Sequence, residues 1–235
     1  MSYRLVAFGS GKGAPVRDLA RLHASLLPES PVSLLGRRFM ERFYYRVLPH
    51  HGLIFGAVAY VGERPAGFVA ATRASGGFMR LAMRRSWLSF GWVVATSVIL
   101  APRSIGPVWE AGRAIRAQQP GAESGAEGEI LSLGVLPGYH ELRREVSGPR
   151  MSADLVGHAV AELGAMGVRS IRAMVKADNV PAKLFYTGLG WTLRRASVPE
   201  WRSPTVEFVW RRDPQVRGVE VMAISEPRYP RPSHF

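Results

Sequence analysis

Short alternating or wholly apolar runs recur along the chain, and stretches with apolar residues at helical spacing separate them. The runs predict strands at residues 3–8, 53–61, 66–72, 129–136, 170–175 and 206–210. Helical spacing predicts helices at 16–27, 35–48 and 151–166. The turn Gly62-Glu63-Arg64-Pro65 makes a hairpin of two strands. The strand, helix and strand over 129–175 predict a βαβ unit, parallel if both strands share a sheet.

The segment 78–116 departs from this pattern. Residues 87–101 carry no charge, but fifteen residues fall short of the ~20 that span a bilayer. We therefore expect a buried helix or a pair of helices that forms a lid. The alternative is a basic amphipathic segment on a membrane surface, which Trp87, Trp92 and flanking arginines favour.

Composition narrows the class of protein. The 235 residues suit one domain, and the absence of cysteine excludes disulfides, cysteine-based zinc sites and thiol nucleophiles. No cationic run followed by an apolar core marks a secretory signal at the N-terminus, so we expect a cytoplasmic protein. The net charge of +13 favours an anionic partner, which is a cofactor, a lipid surface or nucleic acid. Nucleic acid is the least favoured because the arginines are scattered.

Two short features look like binding motifs. Gly9-Ser10-Gly11-Lys12-Gly13 resembles a phosphate loop, but glycine follows the lysine where serine or threonine is required. We expect a strand-to-helix turn there. His50 and His51 have no third ligand nearby, so we predict a solvated loop and no metal site.

The most informative stretch is 176–191. Asn179 can cap a helix, Pro181 suits its first turn, and Gly188 and Gly190 can end it. The pattern Asn-x-x-Ala-x-x-Phe-Tyr-x-x-x-Gly-Trp resembles the last conserved motif of the GNAT superfamily of N-acetyltransferases.

This resemblance implies a fold and a reaction. The fold is a GNAT-like acyl-CoA N-acyltransferase fold of the α/β class, with a central mixed antiparallel and parallel sheet flanked by helices. One domain would cover 1–212, with a helical insertion at about 76–118 and a proline-rich tail at 213–235. The co-substrate would be acetyl-CoA, with no metal, and the acceptor the primary amine of a small molecule. A homodimer and weak contact with a membrane surface are compatible with this scheme.

The resemblance also assigns roles to residues. Tyr186 would be the acid that protonates the departing thiolate, and Glu129 the base that takes the proton of the amine. Backbone groups of Val135 and Leu136 would hold the pantetheine arm and polarise the thioester, and Asn179 would contact the same region. The pyrophosphate would lie at the start of a helix, on Ser147, Gly148, Arg150, Met151, Ser152 and Ala153.

The pyrophosphate loop departs from the family pattern. Arg150 stands where the first glycine is expected, and 141–146 add length, although Arg143, Arg144 and Arg150 can bind phosphates. One alternative to the acetyltransferase therefore stays open, a non-catalytic GNAT-like binding module. A second, which rests on the uncharged run 87–101 and its flanking arginines, is a membrane-surface acyltransferase that acts on a lipid-linked amine.

Overall fold

The protein is described from a computed structural model, over residues 2–74, 127–145, 148–200 and 203–212, without the side chains of 195–200 and 203. The predicted insertion (76–118), the predicted tail (213–235) and Ser147 lie outside these residues.

Seven strands form a single mixed sheet in the order β1-β2-β3-β4-β5-β7-β6. They are β1 (Arg4–Phe8), β2 (Phe55–Val61), β3 (Arg64–Thr72), β4 (Gly128–Val135), β5 (Ser170–Lys176), β6 (Thr192–Glu200) and β7 (Ser203–Arg211). Neighbouring strands are antiparallel except β4 and β5, which are parallel. The structure confirms the predicted mixed sheet, the β2–β3 hairpin and the parallel strands of the βαβ unit.

Helices cover both faces of the sheet. They are α1 (Val16–Leu26), α2 (Pro31–Leu34), α3 (Arg37–Phe39), α4 (Val47–His50), α5 (Met151–Ala165) and α6 (Val180–Gly188), with a π-helical turn (Met40–Tyr44) between α3 and α4. A core that includes Phe8, Leu19 and Phe68 lies on the side of α1 to α4. The opposite core, which includes Leu155 and Phe208, lies under α5 and α6.

The prediction of one helix over 35–48 is wrong. Gly36 has a φ of 89° and is the N-cap of the short helix α3. After α3 the backbone widens into the π-helical turn. Phe43, Tyr44 and Tyr45 follow one another and are all buried, which a surface helix with a single apolar stripe does not allow. The segment therefore lies inside the first core.

The turn predicted at the glycine-rich motif is confirmed. The N–H of Lys12 donates to the carbonyl of Gly9 at 3.1 Å, which closes a tight turn between β1 and α1. The ammonium of Lys12 also lies 3.1 Å from Glu162 of α5, so the turn contacts the helix layer on the other side of the sheet.

A buried histidine joins three elements of the first core. His23 of α1 is fully buried, with Nδ1 2.6 Å from the hydroxyl of Tyr45 and Nε2 2.8 Å from Oγ of Ser30. Ser30 also caps α2 by accepting from the N–H of Ser33 at 3.1 Å. Because both ring nitrogens are satisfied, His23 fixes α1 against the loop that precedes α2.

Candidate functional site

The parallel strands β4 and β5 separate partway along their length. Their register pairs Gly128 with Ile171, Glu129 with Arg172, and Ile130 with Ala173, and it ends there. Beyond this point β4 stays paired with β3 as far as Val135, and β5 stays paired with β7 as far as Lys176. A gap therefore opens between the carboxyl-terminal halves of two strands that are adjacent in the sheet.

A bulge in β4 lies where the gap begins. Ala70 of β3 pairs with Ser132 and Ala71 pairs with Ile130, so Leu131 has no partner residue in β3. A bulge bends its strand and increases the local twist, which is a physical reason for β4 to turn away from β5.

The two backbone positions predicted to hold the pantetheine arm differ. The N–H of Leu136 donates to the carbonyl of Ala66 at 2.8 Å, so β3 already uses it. Consecutive residues of a strand direct their N–H groups to opposite sides, so the N–H of Val135 is directed away from β3, toward the gap. Of these two N–H groups, only that of Val135 is directed into the gap, where a ligand could accept from it.

Glu129 lies one residue before the strands separate. Its Oε2 accepts from Arg172, at 3.1 Å from Nε and 2.8 Å from Nη2. Arg172 is in turn 3.9 Å from a carboxylate oxygen of Glu207 on β7. The three side chains are 13%, 12% and 6% exposed, so an ion cluster of three residues is largely buried at the start of the gap.

Tyr186 lies on the other face of the sheet at nearly the same level. Its ring stacks on Phe208 with centroids 5.7 Å apart and meets Trp191 edge-on at 5.0 Å. Phe208 pairs with Ala173, the last residue of β5 that pairs with β4. Burial raises the pKa of the Tyr186 phenol well above its usual value, so the group stays protonated at neutral pH.

The two predicted catalytic residues thus lie near adjacent residue pairs of the sheet, Glu129 within β4 and Tyr186 on helix α6. Glu129 belongs to the rung of Arg172, and Tyr186 stacks at the rung of Ala173. They lie on opposite faces, since Tyr186 packs in the core under α5 and α6, and Glu129 alternates along β4 with Ile130, which lies in that same core. The gap between β4 and β5 opens next to both.

The predicted pyrophosphate loop is held by its own arginines. Arg143 donates to the carbonyl of Gly148 at 2.5 Å, and Arg150 forms an exposed ion pair with Glu141 at 3.1 Å. Arg144 lies 2.7 Å from Asp154, in the first turn of α5. Each guanidinium has an intramolecular partner, and an arriving phosphate would exchange with these contacts.

The helix behind this loop offers backbone donors. Met151 begins α5, is fully buried, and donates its N–H to the carbonyl of Leu142 at 2.9 Å. The N–H groups of Ser152 and Ala153 belong to the first turn, where an α-helix has no carbonyl for them. These two groups and the positive end of the helix dipole suit a phosphate.

Asn179 has the capping role that its position predicts. Its Oδ1 accepts from the N–H of Ala182 at 3.0 Å, and Pro181 lies in the first turn of α6. The cap fixes the start of the helix that carries Tyr186. The amide is exposed, so contact with a ligand in the gap stays a prediction.

Sequence reasoning missed Arg172 and Glu207. The strand prediction covered Arg172 without a role, and Glu207 looked like an ordinary polar position in a strand. Each is a charged residue inside a predicted strand, but nothing local marks either as a neighbour of Glu129, because strand register brings them together. Tyr44 was also missed, because it lies in the segment predicted as a plain helix.

The described residues contain neither a cluster of metal ligands nor a helix that could cross a membrane. Among them no three side chains of histidine, aspartate or glutamate gather as metal ligands would. None of the helices in the described ranges is long and apolar enough to cross a membrane.

Comparison with known proteins supports the fold. No family model and no curated protein matches the sequence. A chain of the NatC complex bound to Gag peptide and CoA is similar in structure, with a TM-score of 0.51 at 12% identity over 91% of this chain and 100% of that chain. Arabidopsis thaliana NAA60 in complex with acetyl-CoA gives 0.49 at 18% identity over 89% and 98% of the two chains. Agmatine N-acetyltransferase gives 0.49 at 15% identity over 89% and 100%. The predicted GNAT-like fold is confirmed by the likeness to the NatC chain and by the mixed sheet.

Proposed function

We propose that this chain, which has the fold of the GNAT acetyltransferases, transfers an acetyl group from acetyl-CoA directly to a primary amine. The observation that carries the proposal is the gap between β4 and β5, with Glu129 on β4 at its start and the ring of Tyr186 stacked on Phe208, which pairs with Ala173 at the same level. An acyl transfer needs a base, an acid and a donor that polarises the carbonyl, and this arrangement offers all three.

The residues present fit acetyl-CoA as a co-substrate. The gap offers the backbone N–H of Val135 to an extended arm, and the start of α5 offers the N–H groups of Ser152 and Ala153 to phosphates. Arg143, Arg144 and Arg150 surround this helix end and can turn from their present partners to phosphate oxygens. Acetyl-CoA would supply the activated acetyl group.

The chain's own residues would move the protons. The carboxylate of Glu129 takes a proton from the acceptor ammonium, directly or through water, which leaves the neutral amine as nucleophile. The amine would attack the thioester carbon, and the C–S bond would break. Tyr186, a phenol whose pKa burial raises further, would give its proton to the departing thiolate, and the phenolate would recover a proton from the new amide nitrogen. Since the two side chains lie on opposite faces, the acceptor would approach from the face of Glu129.

The acceptor we propose is a small molecule with a primary amine. The N-terminus of a peptide is the second class to test, because the NatC chain with the same fold was seen with Gag peptide. A panel of polyamines, amino sugars, amino acids and short peptides, with release of free CoA thiol as the readout, separates these classes. Release of thiol with peptides alone would overturn the small-molecule acceptor.

A binding module without catalysis is the second candidate. It is favoured by the intramolecular contacts of Arg143, Arg144 and Arg150, which close the loop on itself. Thermal unfolding in the presence of increasing acetyl-CoA or CoA distinguishes the two. A saturable rise of the melting temperature supports the acetyltransferase, since a ligand that binds the native state alone stabilises it. An unchanged melting temperature in folded protein supports the second candidate and contradicts the first.

A further inference from the structure

The buried ion cluster at the start of the gap has an unequal charge. Glu129, Arg172 and Glu207 lie on three neighbouring strands, and one guanidinium faces two carboxylates. The side chains are 13%, 12% and 6% exposed, so water screens them weakly. Two buried carboxylates that share one cation compete for it.

The distances from the guanidinium of Arg172 show which of the two carboxylates it binds. Arg172 donates twice to Oε2 of Glu129, at 3.1 and 2.8 Å, but lies 3.9 Å from Glu207, beyond hydrogen-bond range. Strand register explains the preference, since Glu129 and Arg172 are paired residues on β4 and β5, whereas Glu207 pairs with Met174. The guanidinium therefore hydrogen-bonds to Glu129 and not to Glu207.

We propose that Arg172 is a positioning residue that holds Glu129 as an ionised, oriented carboxylate, and that Glu207 weakens this hold. The proposal rests on the proposed acetyl transfer, in which Glu129 is the base. Arg172 itself contacts no reacting atom.

Three further groups near Glu129, within the described part of the chain, are uncharged at neutral pH. Tyr44 faces it from the π-helical turn, and burial followed by the charge of Glu129 raises the pKa of that phenol. Thr72 pairs with Glu129 on β3 and is neutral. His23 lies behind Tyr44, at 6.0 Å between ring centroids, and burial lowers its pKa to about 4. Among these groups, Arg172 is the cation beside Glu129.

The two neighbours of Glu129 should have opposite effects, and this gives the test. Arg172→Lys keeps the charge but loses the paired donors, so the acidic limb of the kcat/KM profile should move to higher pH. Arg172→Gln removes the cation and should move the limb further, by about one to three pH units. Glu207→Gln removes a competing negative charge and should move the limb to lower pH. A residue with a merely structural role would reduce activity without displacing the limb in opposite directions.

A carboxyl NMR titration keeps the test independent of turnover. Protein labelled with ¹³C at glutamate side chains is titrated as wild type and as the Arg172→Lys and Glu207→Gln variants, with Glu129→Gln to assign the signal. The proposal predicts that the midpoint of Glu129 rises in the first variant and falls in the second. Midpoints that stay equal or move in the same direction would overturn it.

The same experiments separate this proposal from the proposed function. Opposite shifts of the Glu129 signal in a protein that transfers no acetyl group support the coupling but exclude its use in acetyl transfer. A measurable pH profile whose acidic limb stays in place in all three variants leaves the acetyltransferase intact and rejects Arg172 as its positioning residue. Arg172→Lys and Glu207→Gln are conservative enough to carry the test if Arg172→Gln fails to fold.

Discussion

Nδ1 of His23 lies 2.6 Å from the hydroxyl of Tyr45, inside the core between the sheet and α1. Nε2 of the same ring lies 2.8 Å from Oγ of Ser30, so each ring nitrogen faces a hydroxyl that can donate or accept. A neutral imidazole of either tautomer satisfies this network, whereas a second ring proton would place a positive charge in the core.

Stability should therefore fall as the pH drops through the range set by His23. Burial lowers its pKa from 6.5 to about 4, so between these values the unfolded chain binds a proton that the folded chain does not. The neutral His23 contributes fully to the free energy of unfolding above pH 6.5, and about 2 kcal/mol of this contribution should be lost by pH 5. Urea unfolding at pH 7 and pH 5 measures this loss in the wild type.

The histidine variants isolate the effect. His23→Gln should be less stable at pH 7 but should show a smaller loss between pH 7 and pH 5. His50→Gln, at an exposed position at the end of α4, is the matched control and should keep the loss of the wild type. An equal loss in the wild type and in His23→Gln would contradict the assignment.

Tyr186→Phe tests the proposed acid. The variant should lower kcat by about 100-fold or more, because positioned proton transfer contributes that much, and should leave acetyl-CoA binding unchanged. Stopped assays of thiol release and a binding isotherm measure the two quantities. The control is Tyr60→Phe on β2, which loses a hydrogen bond of 2.8 Å to Asp18 of α1. This variant should retain kcat. Unchanged turnover in Tyr186→Phe would remove this residue from the mechanism.

Ser152→Glu tests the phosphate-binding role of α5. A carboxylate in the first turn would occupy and repel the proposed pyrophosphate position, and acetyl-CoA affinity should fall at least tenfold. Ala161→Glu adds the same charge two turns later on the exposed side of the helix. It should bind acetyl-CoA like the wild type in the same calorimetric titration. Equal affinity of the two variants would place the phosphates elsewhere.

Gly56→Ala tests the close contact between β2 and β3. A Cβ at this position would lie 2.0 Å from the carbonyl oxygen of Val69, which is backbone and cannot rotate away. We expect a loss of about 3 kcal/mol or more in the free energy of unfolding. Gly157→Ala, in the middle of α5, brings the new Cβ within 4 Å of no atom outside the backbone of its own helix and its two chain neighbours, and should instead gain about 0.5–1 kcal/mol. Chemical denaturation of both variants gives the comparison.

The elements around the gap were predictable because their signals are local. The strand predicted at 129–136 is β4 (Gly128–Val135), and the helix predicted at 151–166 is α5 (Met151–Ala165). Period-two and helical spacing within one segment suffice for such elements. The cap at Asn179 was equally local, since it concerns an N–H three residues away.

Contacts between residues that are far apart along the chain could not be predicted from the sequence. Glu129 and Arg172 are 43 residues apart, and the register of two strands brings them together. His23 and Tyr45 are 22 residues apart and meet only because the predicted single helix at 35–48 breaks into shorter pieces. Neither the break nor the register leaves a periodic signal in one segment.

The gap between β4 and β5 also bears on how this protein behaves as a solute. In the described register, the strands part after Ile130 and Ala173, so each presents a sheet edge in the middle of the molecule. Sheet edges pair readily with strands of other chains. A ligand that lies along these edges would cover their unpaired backbone groups and so reduce self-association. Solubility on storage should therefore rise when the gap is filled, together with the protection of those backbone amides in 131–135 and 174–176 that are directed into the gap.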